Sequence, residues 1–145
     1  MISQLKPEDF SKCANIWNIE KHHKLASQFL EELTNGIRIT FIYGDYLGEG
    51  SLVFDTGDPV YTIAGHRIYF SRLVVKKENR RQGIGNTLIA HMLTHAATLG
   101  YKEASIGVDT DNIPAINIYV KNGFNEILYF GEDEGGWYYK LLKTF

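Results

Sequence analysis

Hydrophobic and polar positions recur with different periods along the chain, and each change of period predicts a new element. Ile2–Leu5 is predicted as a short strand, and a helix is predicted to begin at Pro7, after which apolar residues recur at helical spacing. Lys21–Leu33 is a weaker helical stretch that Asn35 and Gly36 are expected to end. The N-terminal part therefore predicts one strand followed by two helices.

The middle of the chain carries strand signals and then one amphipathic helix. Ile37–Tyr43 and Tyr46–Asp55 are predicted to be joined by a tight turn, and Arg67–Val75 is a third, longer strand. The intervening residues read as a loop. Gly85–Leu99 has one apolar face and predicts a helix, and Ala104–Val108 predicts the next strand. Arg67–Val75, Gly85–Leu99 and Ala104–Val108 therefore predict a strand–helix–strand crossover.

The C-terminal part predicts a short helix and a hairpin. The helix is expected from Pro114, with Asn112 or Ile113 near its N-cap. Phe124–Phe130 and Trp137–Leu142 are predicted to pair across the acidic, glycine-rich residues between them. The complete order is β-α-α-β-β-β-α-β-α-β-β, which predicts an α+β fold with a mixed sheet covered by helices.

Composition and charge narrow the function classes. The chain has 145 residues, 44% hydrophobic and 22% charged, which suits a single domain over residues 1–145. A net charge of −2 argues against a nucleic-acid binder with a dominant basic surface. No apolar run is long enough to span a membrane, and Cys13 is the sole cysteine, so the cytoplasm is the expected location.

The segment between the third strand and the amphipathic helix is basic and rich in glycine. Unpaired N–H groups at a helix start and the helix dipole favour anions, and Gly83 and Gly85 leave the backbone accessible. Arg80 and Arg81 add positive charge. The segment therefore predicts a diphosphate site.

Three known kinds of phosphate loop are candidates for this segment. A Walker A loop requires Gly-Lys-Ser/Thr, but Asn86 follows Gly85 here. A Rossmann loop requires a third glycine where Leu88 stands. The Arg/Gln-x-x-Gly-x-Gly/Ala loop that binds coenzyme A is matched at every fixed position by Arg80–Gly85. A helix entry that uses glycine for geometry alone remains an alternative at this point.

A second motif lies on the predicted short helix. Residues 112–124 resemble the Asn-x-x-Ala-x-x-Leu/Ile-Tyr-x-x-x-Gly-Phe signature of the GNAT (GCN5-related) N-acetyltransferase superfamily. The matching positions are Asn112, Ala115, Ile118, Tyr119, Gly123 and Phe124. Two motifs in the right order are more specific than either alone. The close resemblance covers about Leu73 to Phe124.

The resemblance implies a GNAT-type fold: a mixed, mostly antiparallel sheet with a splay between strands 4 and 5, flanked by about four helices. Acetyl-CoA would be the co-substrate and would lie in that splay, without a metal. The pantetheine arm would pair with the third long strand, and the pyrophosphate would lie on the loop. The implied cofactor-binding residues are Leu73, Val74, Val75, Arg80, Arg81, Gln82, Gly83, Ile84, Gly85, Asn86, Thr87, Asn112, Ala115 and Tyr119.

The resemblance also implies direct acetyl transfer to an amine. A strand N–H near Leu73 or Val74 would stabilise the oxyanion, and Tyr119 would protonate the departing thiolate as general acid. Some members carry a glutamate on the strand before the loop, but here Tyr69 or Phe70 stands near that place. The remaining base candidates are Glu49, Asp55, Asp109 and a water chain, and each carboxylate is expected to be solvated.

The acceptor is not readable from the residues. The N-terminal helices and the Asp55–Gly65 loop are expected to line its pocket, whereas His22 and His23 are expected to be a solvated pair. Cys13 is expected in the core. Family analogy suggests a homodimer. The net charge and the lack of a long apolar run predict neither nucleic acid nor membrane as a partner. A non-catalytic acyl-CoA-binding sensor or scaffold, and transfer of another acyl group, are the competing hypotheses.

Overall fold

A computed structural model describes all residues, Met1–Phe145. Seven strands form one mixed sheet in the order β1-β2-β3-β4-β5-β7-β6. The strands are β1 Ile2–Gln4, β2 Arg38–Tyr43, β3 Gly48–Val53, β4 Arg67–Val75, β5 Glu103–Asp109, β6 Glu126–Asp133 and β7 Gly136–Thr144. The α-helices are α1 His23–Asn35, α2 Ile84–Thr98 and α3 Ile113–Lys121, and 3₁₀ helices span Pro7–Asn15 and Lys77–Asn79.

The predicted element order is confirmed, apart from a short 3₁₀ helix at Lys77–Asn79 and differences in the type or bounds of several elements. Pro7–Asn15 is a 3₁₀ helix, in which the Asp9 N–H donates to the Lys6 carbonyl three residues back. No side chain caps its N-terminus, and burial of Cys13 anchors this short segment. At the C-terminus, β6 extends to Asp133, because the hairpin turns tightly between Asp133 and Gly136.

The chain divides into two compact units, and the first comprises Met1–Val53 and Arg72–Met92. Its antiparallel strands β1, β2 and β3 carry α1 and the 3₁₀ helix on one face. A buried cluster on that face consists of Leu5, Cys13, Ile16, Leu33 and Ile42. Gly36 ends α1 in the left-handed conformation, φ 82°, as its glycine predicted.

In the first unit, α2 lies very close to β3, which requires glycine on that strand. A Cβ atom on Gly48 would lie 3.0 Å from Ile84, and one on Gly50 would collide with the sulfur of Met92 at 2.5 Å. The strand thereby allows α2 to pack against its backbone. This contact positions the N-terminal half of α2, where the predicted phosphate loop joins the helix.

The second unit comprises Phe54–Ser71 and Leu93–Phe145. β5 pairs in parallel with β4 and in antiparallel with β7, which forms a hairpin with β6. Phe124 is fully buried in this unit, with its ring centroid 5.3 Å from that of Phe70. Hydrophobic packing around Phe124 therefore holds the C-terminal end of α3.

The parallel pairing of β4 with β5 is short. It covers four residue pairs, from Arg67 with Glu103 to Phe70 with Ile106, although β4 continues to Val75 and β5 to Asp109. The pairing thus ends before either strand does, as the predicted splayed fold requires. Among the helices of the chain, none combines the length and apolar character needed to cross a bilayer.

Candidate active site

In the first unit, the predicted phosphate loop leads into α2, and the first backbone N–H groups of this helix have no acceptor within it. The first α-helical hydrogen bond joins the Thr87 N–H to the Gly83 carbonyl at 3.0 Å, and the Thr87 hydroxyl donates to the same oxygen at 2.9 Å. The N–H groups of Ile84 and Gly85 precede that bond and have no acceptor within the helix. Together with the helix dipole, they suit an anion at this end of α2.

The loop backbone takes the left-handed conformation at two positions. Gly83 has φ 80°, and Arg81 has φ 66° although it carries a side chain. Such a conformation costs a non-glycine residue about 1–2 kcal/mol. The loop therefore contains one residue in a disfavoured backbone conformation, two positions before a glycine that adopts positive φ readily.

The fold explains glycine at position 83 but not at position 85. A Cβ atom on Gly83 would meet no atom within 4 Å, so its positive φ is what favours glycine there. Gly85 lacks a positive φ, and its Cβ atom would make only an ordinary 3.7 Å contact with Leu73. The fold itself therefore does not demand glycine at position 85, and close approach of a diphosphate to its backbone stays a prediction.

The side chains around the loop have different surroundings. The Arg80 Nε donates a 3.1 Å hydrogen bond to the carbonyl of Val75, the last residue of β4, so part of its guanidinium is already hydrogen-bonded within the protein. Arg81 and Gln82 are exposed, whereas the Ile84 side chain is buried in the core. Arg80 is exposed as well, so both arginines of the loop present positive charge to solvent.

The C-terminal half of β4 provides the predicted edge for a pantetheine arm. Leu73, Val74 and Val75 are half-buried, and Val74 packs against the first unit's core cluster. The Lys76 N–H donates to the Leu47 carbonyl at 2.8 Å and ties the end of this strand beside β3. Pairing of these residues with a ligand stays a prediction.

In the second unit, the second sequence motif forms the two ends of α3. The Asn112 side chain accepts a 3.3 Å hydrogen bond from the Ala115 N–H, which is N-capping geometry. Gly123 has φ 99°, which lets the chain leave the helix and bury Phe124. These motif positions therefore have structural roles, and the Asn112 side-chain amide N–H₂ is not used by the cap.

Tyr119 lies on α3 and lines a cavity of about 530 Å³ in the second unit. Asn112 lines the same cavity, and so do Tyr69, Tyr61 and Asp109. Tyr119 is 9% exposed. Its burial, with a smaller contribution from Tyr69, raises its pKa to about 12, so its phenol is protonated at neutral pH. The group can donate a proton but cannot act as a base there.

The three candidate carboxylates have very different environments. Glu49 was expected to be solvated, but this is wrong: it is 3% exposed and accepts a 2.8 Å hydrogen bond from Trp17 Nε1. Its other oxygen lies 3.5 Å from Arg72 Nε. Asp55 accepts a hydrogen bond from the Gly57 N–H and is exposed, as expected. Asp109 is exposed and is the one that lines the cavity containing Tyr119.

Burial dominates the electrostatics of Glu49. Desolvation raises its pKa, although Arg72 and the Trp17 hydrogen bond act in the opposite direction. Burial likewise raises the pKa of the Cys13 thiol to about 12, so this core cysteine is not a thiolate nucleophile at neutral pH. The sequence pattern did not reveal the burial of Glu49, because alternation on β3 gives no sign of which charged residue another element will cover.

Several residues of the cavity were not singled out from the sequence. The Asp55–Gly65 loop was expected to line the acceptor pocket, and it contributes Asp58 and Tyr61 to this cavity. Tyr138 and Lys140 come from β7. No motif marks these residues, and only their alternation on one face of β7 could have grouped the last two. His22 and His23 are exposed, as expected.

The short parallel β4–β5 pair, the glycine loop at the start of α2 and the capped helix carrying Tyr119 define an acyl-CoA N-acyltransferase fold. The family model described as "Acetyltransferase (GNAT) family" matches residues 3–124. The chain therefore belongs to the GNAT acetyltransferase family. No curated protein sequence matches it.

Solved structures of acetyltransferases share the fold at low sequence identity. Aminoglycoside 6'-acetyltransferase type Ii is 18% identical, with a TM-score of 0.77 over 99% of this chain and 96% of that chain. A GNAT family acetyltransferase from Elizabethkingia anophelis, with acetyl-CoA bound, is 16% identical, with a TM-score of 0.72 over 100% and 97%. PaiA N-acetyltransferase from Thermoplasma acidophilum, in complex with coenzyme A, is 19% identical, with a TM-score of 0.65 over 100% and 99%.

Proposed function

We propose that this protein is an N-acetyltransferase that moves the acetyl group of acetyl-CoA to a primary amine by direct transfer. The observation that carries the proposal is Tyr119, which is buried, protonated and at the wall of a cavity that also contains Asn112. Membership of the GNAT acetyltransferase family supports the reaction class. The single catalytic domain, the cytoplasmic location and the homodimer stay predictions.

The proposed cofactor contacts follow from the loop at the start of α2. The N–H groups of Ile84 and Gly85 would bind the diphosphate, and Arg81 would supply positive charge. Gly85 supports this role, because the fold itself does not require glycine there, whereas a phosphate that approaches the backbone closely would. The bound acetyl-CoA and coenzyme A of the fold neighbours support the choice of ligand.

The transfer step exchanges one bond to the acetyl carbon for another. The neutral amine nitrogen forms a C–N bond to that carbon, and the C–S bond of the thioester breaks. The amine loses a proton to water, and the thiolate receives the phenol proton of Tyr119, which is then restored from solvent. An N–H on β4 near Leu73 or Val74 is proposed to stabilise the tetrahedral oxyanion.

A thiol-release assay with acetyl-CoA and a panel of amines tests this function, alongside calorimetric titration with coenzyme A. Saturable coenzyme A binding together with amine-dependent thiol release is the expected result. Saturable binding without release on any amine would favour an acyl-CoA sensor. Absence of binding at millimolar coenzyme A would overturn both proposals.

A further inference from the structure

The cavity around Tyr119 carries more negative than positive groups. Three carboxylates line it, from Asp58, Asp109 and Asp133, against a single ammonium, from Lys140. Neutral amines and anionic acceptors gain nothing from such a lining, whereas a cation is attracted by it. The phosphates of the cofactor are anionic and would be repelled by this negative charge. The charge of the cavity therefore bears on the chemistry of the acceptor.

Lys140 shows how this cavity holds an alkylammonium group. Its Nζ lies 2.7 Å from Asp58 Oδ2, and 4.5 Å and 4.9 Å from the ring centroids of Tyr61 and Tyr129. A carboxylate and two aromatic faces therefore surround one amine of the protein itself. Asp58 is neutralised by this contact, so it is not the carboxylate available to a ligand.

The other two carboxylates are not in ion pairs. Asp109 lies opposite Tyr138 in the β5–β7 pairing, and Asp133 lies opposite Gly136 at the end of the hairpin. Both side chains are exposed, and the only side-chain hydrogen bond of Asp133 is from the Gly135 N–H at 2.8 Å. Asp109, Asp133 and Tyr138 all line the cavity, so two carboxylates outside ion pairs share it with an aromatic ring, as Asp58 shares it with Tyr61 around Lys140.

A tyrosine packs closely over a glycine in the wall of the cavity. Both Tyr61 and Gly107 line it, and the Tyr61 hydroxyl lies so close to Gly107 that a Cβ atom there would collide with it. The rings of Tyr61 and Tyr69 are tilted by 39° to each other, with centroids 4.3 Å apart. The wall is therefore rich in aromatic rings, and ring faces bind ammonium groups better than aliphatic side chains do.

We propose that the acceptor is an amine with a second positive charge, and that Asp109 and Asp133 bind that second charge against the Tyr138 ring. The inference rests on the proposed transferase function, because the reacting amine is the one that faces Tyr119. A diamine or a larger polycation has the required chemistry, with one nitrogen neutral for attack and another protonated for binding.

The test compares putrescine, a four-carbon diamine, with butylamine, which lacks only the second nitrogen. We expect kcat/KM for putrescine to exceed that for butylamine about tenfold or more at low salt, because two carboxylates bind the second ammonium. The ratio should fall as the salt concentration rises. Equal values of kcat/KM would overturn the inference.

Charge-neutral variants assign the effect to the two carboxylates. Asp109→Asn and Asp133→Asn should each raise KM for putrescine about threefold to tenfold. Asp133→Asn, which is not a candidate base, should change butylamine turnover by less than about twofold. Glu132→Gln is the matched control, because Glu132 is an exposed neighbour of Asp133 that does not line the cavity. An equal loss in the Glu132 variant would contradict a specific role for Asp133.

Direct binding separates this inference from the proposed function. Calorimetric titration of the protein with putrescine and with butylamine needs no turnover. Preferential putrescine binding that Asp133→Asn weakens, without thiol release on any amine, supports the cation site and rejects the transferase. Thiol release at the same rate with both amines, unchanged by the Asp variants, supports the transferase and rejects the cation site.

Discussion

Trp17 Nε1 donates a 2.8 Å hydrogen bond to Oε1 of Glu49, and the other carboxylate oxygen faces Arg72 at 3.5 Å. The guanidinium of Arg72 lies 4.3 Å from a ring of Trp17, so two half-buried side chains enclose the buried carboxylate in the first unit. Its charge is partly compensated, but burial still raises the pKa of Glu49. The fold therefore stabilises the protonated form of this carboxyl.

This relationship predicts an unusual effect of Glu49→Gln. A carboxyl whose pKa is raised in the folded state contributes most to stability at low pH, and the contribution falls as pH rises from the unfolded value of 4.5 through the folded pKa. Glutamine resembles the protonated form. We expect the variant to be at least as stable as the wild type at pH 7 in urea unfolding, with the two converging below pH 4.5.

Glu49→Ala serves as the contrast to this variant. It removes the acceptor for Trp17 and leaves a void, so we expect it to lower the free energy of unfolding by about 3–5 kcal/mol. If Glu49→Gln is as destabilising as Glu49→Ala at pH 7, the ionised pair with Arg72 stabilises the fold, and the expected sign of the Glu49→Gln effect is wrong.

Tyr119→Phe is expected to reduce kcat about a hundredfold or more while leaving the dissociation constant of coenzyme A nearly unchanged. The phenol oxygen is the only group removed, and Phe retains the ring that packs 6.4 Å from Phe124, centroid to centroid. Stopped-flow thiol release and calorimetry measure the two quantities. An unchanged kcat, with chemistry shown to be rate-limiting, would remove Tyr119 from the mechanism.

Gly83→Ala is expected to weaken coenzyme A binding about tenfold, because the loop must change its backbone to relieve the positive φ and the N–H groups that follow it would shift. Gly57→Ala is a matched control: its φ of 79° is close to the 80° of Gly83, and neither Cβ atom would meet a neighbour within 4 Å. Both variants should lose about 1–2 kcal/mol of stability. Equal coenzyme A affinity in the two variants would argue against the diphosphate site.

The Asp58–Lys140 pair predicts a loss of stability in acid. The hydrogen bond from Lys140 lowers the pKa of Asp58 below its ordinary 3.8. A depressed pKa contributes stability above the unfolded value, and that contribution disappears as pH falls through the folded one. Asp58→Asn should therefore be less stable than the wild type at pH 7 and closer to it at pH 2, as measured by thermal unfolding. Asp111→Asn, an exposed residue without an ion pair, should show no such convergence.

The sequence predicted elements with strong local signals accurately. The bounds predicted for β4, Arg67–Val75, are those observed, and α2 starts and ends one residue before its predicted bounds. Gly36 and Gly123 end their helices with positive φ, and Asn112 caps α3. These features depend on residues adjacent in the chain, so local periodicity and capping chemistry are enough to find them.

Features that depend on distant residues were missed or mispredicted. The burial of Glu49 depends on Trp17, 32 residues away, and the position of Lys140 depends on Asp58, 82 residues away. Local pattern carries no information on such pairs. The strand before the hairpin turn was predicted to end too early, at Phe130. Its last residues, up to Asp133, include acidic residues with low strand propensity, and only their pairing with β7 shows that they belong to β6.

By itself, the amino-acid sequence determined the order of elements, the glycine loop before α2 and the motif that carries Tyr119, because each of these arises from a short run of residues. Only the tertiary structure decided which charged groups are buried and which line the cavity, because these depend on strands and loops brought together from far along the chain. The charge around Tyr119, and with it the chemistry proposed for the acceptor, belongs to this second group.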